Sequence, residues 1–159
     1  MPGFEDSYVG KVRKLVGDQV LIIPATRAVL LDERQGILLI RRRDNGQWGF
    51  PAGAIELGDS VFDCLKREVK EETGLDVISA TPFAIYSESR FAFTNMYGDT
   101  YQLFSVAFRV DEWEGALVTE TDETIDARFF PLDALPELPA HYHETMDDLQ
   151  KFDGRLILK

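Results

Sequence analysis

Cysteine is almost missing from this chain. Cys64 is its only thiol, so an intrachain disulfide is excluded and nothing suggests a thiolate metal site; beside Phe62 and Leu65 it reads as a packed core residue rather than a nucleophile. Basic residues are scarce as well. Seventeen Lys and Arg stand against 28 Asp and Glu, for a formal net charge of -11. A surface that tracks a long nucleic acid needs clustered cations, so no such partner is expected; a small phosphorylated ligand whose charge is met locally by metal ions stays compatible. No apolar run approaches the ~20 residues that cross a bilayer, and "MPGFEDSYVG" has neither the basic start nor the apolar segment of a signal peptide. No membrane partner and a cytoplasmic location are therefore expected. Internal repeats and linkers rich in Pro, Gly or Ser are absent, and 159 residues at 45% hydrophobic content fit one domain spanning 1–159.

What is present reads as a mixture of strands and helices. "LIIPATRAVLLD" and "GILLIRRRD" are apolar, β-branched runs separated by "ERQG", which predicts two paired strands. "NGQWGFPAGAIELGD" is dense in Gly and Pro and predicts irregular backbone. Ser60 to Thr73 turns helical, with Asp59 or Ser60 as N-cap and Gly74 as terminator. "LDVISATPFAIYSES" and "TYQLFSVAFRV" predict strands joined by a hairpin over "RFAFTNMYGD". "ARFFPL" predicts a short strand, and "HYHETMDDLQKF" a closing helix. Strands on both sides of the main helix give an α/β or α+β domain with helices packed on a sheet. The apolar stretch "VLIIP" near the start is open to an added strand or a homodimer contact.

The most informative stretch is "REVKEETGL", Arg67 to Leu75, where Glu68, Glu71 and Glu72 crowd the end of the helix. Like charges at these spacings repel, and the last turn favours cations. At about 100° per residue from Val61, the apolar residues Phe62, Leu65 and Val69 fall between about 40° and 100°. Asp63, Lys66, Arg67 and Lys70 take the solvated side, with Asp63 and Arg67 an i,i+4 pair. Glu68 at about 340° and Glu72 at about 20° lie beside or inside the apolar arc. A carboxylate there must be paired, protonated or metal-bound. The lysines point elsewhere and Arg67 is expected to reach one acid. One reading is a hard divalent cation, Mg²⁺ or Mn²⁺, shared by several carboxylates; the other is a solvated, charged helix end.

With its upstream loop the segment becomes "GAIELGDSVFDCLKREVKEETGL", Gly53 to Leu75. It resembles the signature of the Nudix hydrolases, G-x5-E-x7-R-E-U-x-E-E-x-G-U, matching at Gly53, Arg67, Glu68, Val69, Glu71, Glu72, Gly74 and Leu75. Asp59 replaces the first glutamate. "QWGFPAG" resembles the family's approach to the box, and "ARFFPLDALP" its closing strand. The resemblance implies an α/β/α sandwich with a mixed sheet and metal-dependent hydrolysis of a phosphoanhydride in a nucleoside diphosphate linked to another moiety. It further implies that Glu68 and Glu72 bind metal, that Glu71 joins them or activates water, that Arg67 orients a box glutamate, and that the Ala52 carbonyl adds a ligand. Asp59 is placed in the metal environment or at the helix N-cap, where Asp is well suited.

Outside the box, Glu120, Asp122 and Glu123 in "TETDETIDARFF" are candidates for the base that family members draw from a later loop, and Glu123 is the choice. Arg42, in the run Arg41 to Arg43, is the candidate phosphate clamp, since alternation along a strand lets only one or two of the three face a site. Phe93 is the candidate for stacking on a base. His141 and His143 are assigned to the surface. The small-molecule partner expected is a nucleotide; the competing expectation is a domain that binds one without turnover.

Overall fold

The computed structural model describes residues 4–95 and 97–159. Residues 1–3 of the N-terminal stretch, and Met96 inside the expected hairpin, lie outside them. The chain runs α1 (Tyr8–Val16), β1 (Leu21–Val29), β2 (Ile37–Arg42), β3 (Trp48–Gly49), β4 (Ala52–Ala54), α2 (Val61–Thr73), β5 (Asp76–Tyr86), β6 (Phe93–Thr94), β7 (Thr100–Glu114), β8 (Thr124–Phe130), α3 (Ala140–Lys151) and β9 (Ile157–Leu158). Two sheets result. The larger has the order β4-β1-β7-β5-β9, with β6 paired to β7, and the smaller has the order β3-β2-β8. β1 runs parallel to β7 and β5 parallel to β9, while β1 with β4, β5 with β7 and β6 with β7 are antiparallel, so the larger sheet is mixed.

Side-chain alternation along β1 explains the layering. Ala28 and Leu30 enter one apolar cluster with Leu65 and Val69 of α2 and with Val77, Phe108 and Val110. Val29 enters the opposite cluster with Phe83, Ala84, Ala107 and Met146 of α3, against which Tyr142, Leu149 and Phe152 pack. Helices thus cover both faces of the mixed sheet. Each fully buried Leu or Val here contributes about 1.5–3 kcal/mol.

The expected pairing of the first two long strands is overturned. β1 and β2 belong to different sheets; among the described residues their backbones meet at a bridge between Leu31 and Ile37, with bonds from the Leu38 N–H to the Leu30 carbonyl (3.0 Å) and from the Asp32 N–H to the Gly36 carbonyl (3.0 Å), while their side chains share the apolar clusters. The reason is edge occupancy: β4 takes one side of β1 and β7 the other, which leaves β2 to pair with β3 and β8. Among the described residues of the expected hairpin, β6 folds back on Thr100 and Tyr101. The short strand expected at 127–132 begins earlier, at Thr124, and the closing helix matches α3. The stretch "VLIIP" feeds β1, leaving Val20 and Ile22 exposed. Among the described residues no helix is long and apolar enough to cross a membrane.

Candidate active site

The helix that carries the glutamates is firmly terminated. Ser60 caps it, its hydroxyl accepting from the Asp63 N–H (3.1 Å) while the Asp63 carboxylate accepts from the Ser60 N–H (3.2 Å). Such a cap stabilises by about 1 kcal/mol. Asp63 is therefore engaged in the cap and does not pair with Arg67, and Asp59 is not the N-cap. At the other end Gly74 adopts a left-handed conformation (φ +76°) and donates to the Lys70 carbonyl. A Cβ on Gly74 would lie 2.6 Å from Val118, and the Val118 N–H bonds the Thr73 carbonyl (2.8 Å). The loop after β7 is thereby pinned to the end of α2, and it continues into Glu123.

The helical phase places the glutamates as expected. Glu68 is 6% and Glu72 2% exposed, while Glu71 is half-buried. Gly53 on β4 makes room for the first of these: a Cβ there would lie 2.1 Å from the Glu68 carboxyl carbon. The Ala52 N–H donates to Glu72 (2.9 Å), so β4 and α2 hold each other through a buried carboxylate. Arg67 departs from expectation. Its guanidinium leaves the solvated side and meets three acids: Asp59 (3.0 Å), Glu68 (2.5 Å) and Glu71 (3.4 Å), together with the Ala54 carbonyl (3.1 Å). Long side chains lay their stems along a helix and choose their own direction, so Cα phase alone does not place a guanidinium. Asp59, one methylene shorter than glutamate, accepts from both Nε and Nη2 of Arg67.

The structure brings Glu123 to the glutamates of α2. Carboxylate oxygens of Glu68, Glu72 and Glu123 lie within 4.8 Å of one another, close enough to hold a metal ion. Glu71 lines a cavity of about 370 Å³ beside them, with Thr121, Asp122 and Glu123. Of the other loop acids, Glu120 pairs with Arg43 (3.0 Å) and Asp122 stays exposed. Burial, opposed by Arg67, raises the Glu68 carboxyl to about 7. Burial and the neighbouring Glu68 lift Glu72 well above the usual carboxylate range, and burial with the charge of Glu71 raises Glu123. Anionic carboxylates crowded in low dielectric call for positive charge, and an all-oxygen donor set suits a hard divalent cation.

Arg42 makes a bidentate pair with Asp44 (3.0 and 2.8 Å), and its charge is felt at Glu72 and Glu123. Phe93 is 44% exposed and tilts against Tyr101 (5.4 Å); it lies outside the carboxylate group and its cavity. Cys64 is fully buried, as a core residue should be, with its thiol pushed up to about 11 by burial. His143 is exposed, whereas His141 is partly buried beside Tyr142. Sequence reasoning missed Arg27, buried beneath α3. It donates to Thr145 Oγ1 (2.6 Å) and lies over the rings of Tyr86 (5.4 Å) and Tyr142 (4.9 Å). Its one signal was a lone arginine inside an apolar strand.

Residues 22–149 match the NUDIX domain model, and the chain belongs to the Nudix hydrolase family. It is 33% identical over 114 residues to the NAD-capped RNA hydrolase NudC of Pseudomonas aeruginosa, an alignment covering 70% of this chain and 37% of that protein. It thus spans well under half the length of that relative. To the ADP-ribose pyrophosphatase of Methanocaldococcus jannaschii it is 29% identical over 126 residues, covering 77% and 70%. Among solved structures, an ADP-ribose pyrophosphatase from Streptococcus suis superposes with a TM-score of 0.65 at 26% identity, covering 86% of this chain and 98% of the other.

Proposed function

We propose that this protein hydrolyses a phosphoanhydride bond in a nucleoside diphosphate linked to another moiety, with Mg²⁺ or Mn²⁺ as cofactor. The observation that carries the reading is the approach of carboxylate oxygens of Glu68, Glu72 and Glu123 to within 4.8 Å of one another, two of the three residues buried and the third lining a cavity. The names of relatives that act on ADP-ribose or on NAD caps support a substrate in which a diphosphate joins two groups.

Glu68, Glu72 and Glu123 would hold the cation, with the Ala52 carbonyl as a further oxygen donor. When bound, a divalent cation neutralises diphosphate charge and lowers the pKa of water. The residues of the chain supply the rest. Arg67 holds Glu68 and Glu71 from behind, fixing their directions. Glu71 faces the cavity and takes the proton of the attacking water. Arg42, at the end of β2, offers a guanidinium to a phosphate oxygen by exchanging its pairing with Asp44.

A hydrolysis screen over nucleoside diphosphate derivatives and triphosphates, with Mg²⁺ and with products identified by mass, tests the reading. Metal-dependent release of a nucleoside monophosphate is expected, with a loss on the order of 10²-fold or more in Glu68→Gln and Glu72→Gln. Full activity in both variants, or tight binding without turnover across the panel, would sink it.

A further inference from the structure

Glu123 reaches the carboxylate group from the loop that precedes β8, beside the like charge of Glu71. An acid in that position is held only as firmly as its backbone. We propose that Arg43 is the positioning residue that fixes Glu123 for cation binding, an inference that rests on the carboxylate reading above.

Arg43 grips the loop on both sides of Glu123. Its backbone N–H donates to the Glu123 carbonyl (2.8 Å). Its Nη2 donates to the Thr121 carbonyl (2.9 Å), to the Thr124 carbonyl (3.4 Å) and to the Glu120 carboxylate (3.0 Å). Two residues before Glu123 and one after it are thus drawn to one guanidinium nitrogen. The loop is pre-shaped for this grip. Thr121 Oγ1 accepts from the N–H groups of Glu123 (3.2 Å) and Thr124 (3.1 Å), and the Thr121 N–H bonds the Thr124 carbonyl (2.9 Å). The register of β2 on β8 also shifts here: Arg41 faces Asp126 while Arg42 faces Thr124, so the ladder passes over Ile125. Such a bulge re-aims the chain next to it. The neighbour Arg42 spends its guanidinium on Asp44, and its positive charge favours the ionised forms of Glu72 and Glu123; of these two consecutive arginines it is Arg43 that bonds the loop.

The side-chain bonds are the part that mutation removes; the backbone bond survives. Arg43 is half-exposed, so its replacement leaves the core intact. Its guanidinium reaches several acceptors at once, where a lysine ammonium is a single point charge.

The test uses the full chain with Mn²⁺ as the probe, its dissociation constant read from the spin-resonance signal of the free ion, for wild type, Arg43→Ala, Arg43→Lys, Glu123→Gln and Arg43→Ala with Glu123→Gln. Arg43→Ala is expected to weaken Mn²⁺ binding about tenfold, with faster amide exchange at residues 121–124, and Arg43→Lys to recover part of the loss. In the Glu123→Gln background, Arg43→Ala should change the affinity less than twofold, because a residue that acts through Glu123 has nothing left to position. Undiminished affinity in Arg43→Ala overturns the proposal, as does an equal loss in both backgrounds. Absence of Mn²⁺ binding in the wild type is a different failure: it removes the carboxylate reading, and Arg43 with it.

Discussion

At the scale of single residues, the site is organised by one arginine more than by any glutamate. Arg67 bonds Asp59, Glu68 and Glu71 together, and so neutralises part of a cluster that would otherwise repel itself. The aspartate at position 59 therefore has a defined task, holding the guanidinium by two N–H bonds. Arg67→Lys keeps the charge but loses the planar fork, and an ammonium cannot serve Asp59, Glu68, Glu71 and the Ala54 carbonyl together. Steady-state kinetics of Arg67→Lys at saturating Mg²⁺ should show kcat reduced by roughly 10- to 100-fold with a smaller change in KM; an unchanged kcat would leave the orienting role without support. Gly53 makes a companion case. Gly53→Ala puts a methyl group where the Glu68 carboxyl now lies, so the variant should lose Mn²⁺ binding in a titration while keeping its secondary structure.

At the scale of elements, α2 gives up stability for its site. It ends with two carboxylates buried against the sheet at the pole of the helix that disfavours anions. Glu72→Gln removes a carboxyl whose ionisation the low dielectric opposes and keeps the shape, so the metal-free variant should melt a few degrees above the metal-free wild type by calorimetry at pH 8. Mg²⁺ is expected to raise the Tm of the wild type, and that rise should shrink or vanish in the same variant. The depth of Glu68 and Glu72 was legible in the sequence because a 13-residue helix with firm caps keeps its phase. The signature made the family legible for the same reason: its spacing follows the turns of that helix. Other features lay beyond such counting. α1 is short and adds only Val9 to a small cluster with Ile23 and Tyr101; its clues were Ser7 as N-cap and valines at 9, 12 and 16. The separation of β1 from β2 depends on strands far along the chain that occupy both edges of β1. The grip of Arg43 on residues 120–124 joins positions nearly eighty residues apart.

At the scale of the whole molecule, the two sheets share their apolar layers but not their ladders, and α3 closes one side. The contact of α3 with β1 carries its own titration. Burial, reinforced by Arg27, pushes His141 down to about 4, with Glu144 opposing. Between that value and its ordinary 6.5 the unfolded chain holds a proton on His141 that the folded chain does not, so this contribution is complete above pH 6.5 and drains away as pH falls toward 4. Unfolding free energies from urea titrations at pH 7 and pH 5 should differ less in His141→Gln than in wild type, by about 1–2 kcal/mol after allowing for the partial exposure of the ring. Equal pH dependence in the two proteins would assign the acid sensitivity elsewhere.

The separation of the sheets has one more consequence. Glu68 and Glu72 ride on α2, bedded mainly on the larger sheet, whereas Glu123 hangs from the smaller one, where β8 begins. Between β1 and β2 the backbone seam among the described residues is one bridge with its two flanking hydrogen bonds. An ion seated among the three carboxylates is then a rivet driven through a joint. Its arrival would tie α2 to the start of β8, where no backbone ladder among the described residues joins the two sheets.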